Sequence, residues 1–238
     1  MNGSNFNGVG STSISDLTVN KFMAKVYGWM FLGLLVTAVS ALVFLMSLPL
    51  MSGLIGNPIF FMGTVFAQFA LVMGLSSCLL KISRKMASFL FLLYAALNGI
   101  TLTYICLMYD IGTVVLAFTI TAIIFASMSI YGHLTKADLT SFGSLATVGL
   151  IGVIVASIVN LFLNNPTMDY IICFVGLGIF IGLVAYDSQK IKTEFYSNVN
   201  VLGEEDASKT AIIGALRLYL DMINIFIFVL RLLGIRRD

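Results

Sequence analysis

The sequence predicts an all-α membrane protein with seven transmembrane helices. Three observations carry that prediction. The chain is 59% hydrophobic and only 10% charged, against roughly 25% charged residues in a soluble domain, and its mean hydropathy is +1.03. Apolar runs near the ~20 residues needed to cross a bilayer recur seven times. Lysine and arginine fall in alternate connections, as orientation in a membrane requires. The net charge of +2 matters less than this placement.

Residues 1–20 are rich in Gly, Ser and Asn and have no periodic apolar pattern. They read as a flexible tail ahead of a seven-helix domain over 21–238. No basic stretch and short apolar core with a cleavage site mark a removable signal peptide. An amphipathic lead-in, Val19–Val26, carries Lys21 and Lys25. The spans are expected at 26–48, 58–80, 86–108, 113–132, 142–163, 168–187 and 210–233. Pro58 and Pro166 suit the first turns of helices two and six, where a missing N–H costs nothing. Pro49 lies beyond helix one. The connections are short except 188–209, which is polar and contains Glu204-Glu205-Asp206.

Lys21 and Lys25 precede the first span. Lys81, Arg84 and Lys85 lie in the second connection, Lys136 in the fourth, and Lys190, Lys192 and Lys209 in the sixth. The first, third and fifth connections hold no Lys or Arg. This asymmetry places the N-terminus in the cytoplasm. Seven crossings would then put Arg236 and Arg237, close behind Arg231, on the opposite face. Either the last segment spans despite these arginines, or it turns back. Its length favours spanning.

Residues three and four apart share a helix face. On the last segment Gly214, Arg217, Asp221 and Asn224 line up. Tyr94, Asn98 and Thr101 do so on helix three, Thr64 and Gln68 on helix two, and Ser157 and Asn160 on helix five. These stripes suggest a bundle with a polar interior and the last helix near its axis. The plainer account of each uncharged residue is a hydrogen bond between helices, worth about 0.6–2 kcal/mol. Gly178-xxx-Gly182 and Ala95-xxx-Gly99 have the spacing of close helix contacts.

Asp221 stands at the middle of an apolar span, where a charge costs on the order of 3 kcal/mol. It is a functional candidate, or else an ion-pair partner of Arg217 one turn earlier. Asp187 ends the sixth apolar run. It reads either as a second member of the site or as a helix-end carboxylate paired with Lys190 or Lys192. Asp221 lies about 18 Å along the helix from Lys209 at ~1.5 Å per residue. The two depths match if helix six continues well past Asp187 and helix seven starts late. Two carboxylates meeting in a low-dielectric site would hold one proton jointly, and once free their oxygens would suit calcium. Cys78, Cys106 and Cys173 fall in apolar runs and read as packing residues. His133, the single histidine, lies just outside the fourth span and excludes a zinc site built on several imidazoles.

At these residues the chain resembles the transmembrane Bax-inhibitor-motif family, in particular its bacterial members. The matching pieces are AKVYGWMFLGLL (24–35), LYAALNGITLTYI (93–105), SIYGHLTKADLTSFG (129–143), GLVAYDSQKIK (182–192) and IIGALRLYLDMINIFIFVLRLLG (212–234). The resemblance implies six helices wrapped around a central C-terminal helix, a multi-pass place in the bacterial inner membrane, and a pH-sensing aspartate pair, here Asp187 and Asp221. It also implies a pH-regulated calcium leak. In some members a basic residue on helix two joins the aspartates; here that position offers Gln68, with Arg217 as a substitute.

The first functional expectation is therefore a passive, pH-gated cation leak with calcium the preferred ion. Asp187 and Asp221 would form its gate and contact the ion, with Arg217, Asn224, Asn98, Tyr94 and Gln68 lining the polar interior. The alternative is a regulatory protein that binds a membrane-bound AAA protease or another membrane partner through its tail and the acidic 193–209 region. A proton-coupled transporter is a third reading, but the broken helices and paired repeats of such proteins are missing from the sequence. An enzyme is not expected, since no Ser/His pair or protease-type aspartate motif is present. No cofactor and no nucleic-acid partner are expected; the bilayer and a cation are.

Overall fold

In the computed structural model, residues 7–47, 58–78, 82–198 and 204–234 are described. They form α1 (Asn7–Ser47), α2 (Pro58–Cys78), α3 (Arg84–Cys106), α4 (Ile111–Leu134), α5 (Thr140–Leu163), α6 (Pro166–Asn198) and α7 (Glu204–Leu233). The protein is an all-α membrane protein. Among the described residues six helices are long and apolar enough to cross a bilayer, and α2 contributes a shorter apolar stretch, Ile59–Leu75.

The C-terminal helix is the axis of the bundle. Of its most apolar stretch 72% is buried, against 17% for α5. It packs directly on α1, α3, α4 and α6, while α2 lies outside α3 and α5 lies outside α6. The wrapping is thus an inner ring of four helices with two more behind it.

Local chemistry sets the ends of the helices. Asp110 caps α4 by accepting the Gly112 N–H at 2.8 Å, which satisfies one of the free donors of a first turn. Asn164 closes α5 in the left-handed conformation, φ 48°. Asn165 then caps α6 by accepting from the Thr167 and Met168 amides, and Pro166 follows as the expected first residue.

Two boundaries differ from the sequence reading. Helix α1 is helical from Asn7 and its lead-in belongs to the bundle: Val19, Phe22, Met23 and Val26 are all buried. Their spacing of three, one and three residues is one helix face, and Phe22 stacks on Phe195 with ring centroids 4.2 Å apart. The 188–209 connection is mostly helix. Helix α6 continues to Asn198 because Ser188, Ile191 and Phe195 extend its buried stripe, and α7 begins at Glu204. Apolar length marked the membrane layer, and both helices run beyond it.

The last helix is continuous for 30 residues, about 45 Å, so it does not turn back. Arg231 near its end pairs with Asp169 in the first turn of α6. That pairing answers the arginine conflict in part: the charge at this end has a carboxylate partner. Arg236 and Arg237 lie outside the described residues, as do Lys81 and the Cys78 side chain.

Glycine fixes two of the tightest contacts. A Cβ on Gly132 would lie 2.8 Å from both the Cα and the carbonyl carbon of Ala185, joining α4 to α6. A Cβ on Gly99 would collide with Thr37 and Ser40 of α1, so Ala95-xxx-Gly99 is a real helix contact. Gly178 meets nothing within 4 Å, whereas Gly182 packs against the Phe142 ring.

Candidate functional site

Helices α6 and α7 are antiparallel neighbours, and the seam between them carries the charged residues of the interior. At mid-seam the carboxyl groups of Asp187 and Asp221 lie next to each other, close enough to interact directly. Asp221 is 4% exposed, and its Oδ2 is buried with no hydrogen-bond partner. The depths match because α6 runs on past Asp187, as the sequence reading required. The other condition fails, since α7 starts earlier rather than later. Two acids this close in a poorly solvated place are able to hold one proton jointly.

Arg217 is not the ion-pair partner of Asp221. Its Nη1 donates to both oxygens of Glu194 on α6, at 3.2 and 3.1 Å. Lys190 is also drawn aside, lying over the Tyr186 ring at 5.3 Å from its centroid. Both cations still act on Asp187 through space. Asp187 is therefore a member of the interior pair rather than a helix-end carboxylate paired with lysine. Lys192 instead donates to the His133 carbonyl at 2.9 Å.

The polar stripes divide. The Thr37 hydroxyl hydrogen-bonds Tyr219 of α7 at 2.6 Å, and the Asn98 side chain lies beside the same hydroxyl. Tyr94 packs edge-on against the same ring. These residues do form a polar cluster on the axis. Gln68 does not join it: its amide donates to Leu97 O at 3.1 Å and to the Thr101 hydroxyl, tying α2 to α3. Asn224 donates to Leu220 O of its own helix. On α5, Ser157 bonds Val153 O and Asn160 accepts the Asn165 amide, so that stripe serves the helix and its end. Helix α5 is the outermost span, and its polar groups satisfy themselves locally as lipid demands.

His133 falls in the last turn of α4 rather than beyond it, with Nδ1 buried and unpartnered. Cys106 and Cys173 are free thiols, Cys106 half-buried and Cys173 buried.

Three features escaped the sequence reading. Glu194 lies two turns after Asp187, so the i, i+7 spacing put it on the same face; it was placed in a loop because the apolar run had ended. Tyr219 is fully buried and touches Phe91, Tyr94 and Thr37, but a lone tyrosine in an apolar helix carries no signal. A hydroxyl chain crosses three helices beside the aspartates: Tyr27 to Ser129 at 2.6 Å and Ser129 to Ser188 at 3.1 Å.

The fold and seam define a multi-pass membrane protein with a carboxylate pair in its interior. The chain belongs to the family described as inhibitor of apoptosis-promoting Bax1, whose model matches residues 19–238. It is 41% identical over 216 residues to inner membrane protein YbhL of Escherichia coli strain K12, covering 91% of this chain and 92% of that one. An uncharacterized protein of Borreliella burgdorferi is 42% identical over 225 residues, covering 93% and 95%. An uncharacterized protein of Rickettsia prowazekii is 37% identical over 225 residues, covering 94% and 93%.

Proposed function

We propose that this protein is a pH-regulated passive leak for calcium in the bacterial inner membrane. The observation that supports it most is the pairing of Asp187 with Asp221 inside the α6–α7 seam. One shared proton keeps two acids together; its loss leaves two like charges side by side in a poorly solvated place, which favours separation of the helices. The separated carboxylates then offer oxygen ligands to a hard cation. Two carboxylates supply at most four oxygens where calcium takes about six to eight, so an ion passing them keeps part of its water. That suits transit better than tight binding.

Two flanking pairs make the seam a hinged unit. Arg217–Glu194 and Arg231–Asp169 hold α6 to α7 on either side of the acids. The N-terminus is assigned to the cytoplasm, an orientation supported by Lys25 and Lys192 lying at the end of the bundle opposite Arg231. There Lys25 donates to Ser208 near the start of α7 at 2.7 Å.

Purified protein in calcium-indicator liposomes tests the proposal. Asp221→Asn keeps the shape of the side chain and removes the titration. Calcium influx through the parent should change with pH, and the variant should give a flattened profile. An Asp221→Asn profile that titrates like the parent removes the aspartate pair from gating.

A further inference from the structure

The Tyr27–Ser129 hydrogen bond joins α1 to α4 at 2.6 Å. Between that contact and the α3–α4 turn the two helices line a cleft of about 770 Å³, floored by Met222, Ile223 and Phe226 of α7. Along α1 the cleft runs from Met30 to Leu45, and along α4 from Phe125 to Ile111. Each wall is therefore about 21 Å long at ~1.5 Å per residue, somewhat more than one leaflet of a hydrocarbon core ~30 Å thick. At the α3–α4 turn the cleft reaches Tyr109 and Ile111, on either side of the Asp110 cap of α4.

The chemistry of the lining selects the occupant. The lining carries no charged residue. The Thr37 and Thr103 hydroxyls are already bonded to backbone carbonyls, at 2.9 Å each to Gly33 and Gly99. Beyond these, the polar groups of the lining are the Cys106 thiol and Tyr109, both at the α3–α4 end, so the length of the cleft lacks the two to four polar partners that water needs to settle in a cavity. An empty cleft of this size forfeits dispersion contacts on every side. The rim is continuous with the lipid-facing surface: Phe31, Leu42, Phe118 and Ile111 are all more than half exposed.

We propose that this cleft is a binding site for one fatty acyl chain of a membrane phospholipid, entering from the leaflet at the α3–α4 turn. The bound chain wedges α1 from α4 and covers α7 at Met222, the residue after Asp221. Its presence does not depend on what the bundle conducts.

The full-length protein in phosphatidylcholine nanodiscs, doped with a phospholipid carrying a diazirine midway along one acyl chain, provides the test. After irradiation, peptide mass spectrometry should place adducts on Met222 or Phe226, as well as on outward residues such as Val39. Adducts confined to Val39, Val43 and other outward positions would overturn the proposal. Replacing Ala38 or Ala122 with Trp fills the cleft. Floor labelling should then fall roughly tenfold, the effect of losing about two buried methylenes, while Val39 labelling persists; unchanged floor labelling counts against the site. Should neither variant fold, Cys106 on the cleft wall serves in their place, with Cys78 and Cys173 replaced by Ser. A charged, membrane-impermeant thiol reagent should leave it unmodified. Modification would reveal a water-filled cleft and refute the acyl chain.

Discussion

Gly132→Ala is the sharpest probe of how the aspartate seam is held. The added Cβ would lie 2.8 Å from two backbone atoms of Ala185, where ordinary contact begins at 3.4 Å. The Ala185 carbonyl oxygen is nearer still; both sides are main chain, so no side chain can rotate away, and the two helices must separate by about 1 Å to restore contact distance. Ser129, one turn before Gly132, is bonded to Ser188 at 3.1 Å. The same displacement carries that bond to about 4 Å, beyond hydrogen-bonding range. The overpacking costs about 1–3 kcal/mol, and the lost interhelical bond adds about 0.6 kcal/mol. Gly152→Ala on α5 is the control, because its Cβ meets nothing within 4 Å. Both variants gain the same helix propensity, about 1 kcal/mol, so their difference isolates the clash. Reversible unfolding in mixed micelles should show Gly132→Ala less stable than Gly152→Ala by about 1.6–3.6 kcal/mol, the sum of those two terms. Agreement of the two within about 0.5 kcal/mol, the usual limit for an uncoupled surface change, would refute the close α4–α6 contact.

Further outcomes follow from the same coordinates. Glu194→Gln removes a partly exposed pair, so global stability should change by less than about 1 kcal/mol. The freed Arg217 lies one turn from Asp221, and in the proposed leak the pH of half-maximal calcium flux should move; superimposable profiles would show that Arg217 has no hold on the pair. Tyr219→Phe with Thr37→Val should give a double-mutant coupling of about 0.6–1.7 kcal/mol in unfolding experiments, and zero coupling would reject their hydrogen bond. In the α4–α5 turn, the Thr140 side chain and amide hold the Asp138 carboxyl below its ordinary value. A depressed folded-state value stabilises above the unfolded one and is lost as pH falls through it. Thr140→Val, which keeps the amide, should return the Asp138 titration part way to normal by NMR; an unmoved titration would reject the side-chain contribution.

Much of the fold was legible because apolar length and loop charge report directly on a bilayer. Pro58 and Asn165-Pro166 marked two helix starts to the residue. What length could not show was where helices continue outside the apolar layer. The α6 extension is amphipathic, and its Ile191 and Phe195 stripe sits among Gln189, Lys190 and Lys192, which a hydropathy window averages away. Glu194 was lost with it. Asp187 and Asp221 were legible because a charge in a span is costly enough to demand a reason. Gln68 and Asn160 were over-read, since a neutral amide can be satisfied by the nearest carbonyl or amide and needs no shared interior.

The most charged of the seven spans is also the most buried, which is the reverse of what lipid alone would select. The explanation lies in which helix answers its charges. Arg217 is met by Glu194, Asp221 by Asp187 and Arg231 by Asp169, and all three partners are on α6. Two of these contacts join opposite charges and the middle one joins two acids. Opposite charges at the ends hold whether or not the centre is protonated; the acid pair is cohesive only with its proton. Helices α1, α3 and α4 cover the rest of α7 mainly with apolar and hydroxyl contacts, Tyr219 to Thr37 among them, with Lys25 of α1 on Ser208 near the start of α7. The proposed pH response therefore centres on the middle of this seam. In the proposed leak, that point opens while the flanking pairs keep α6 and α7 in register.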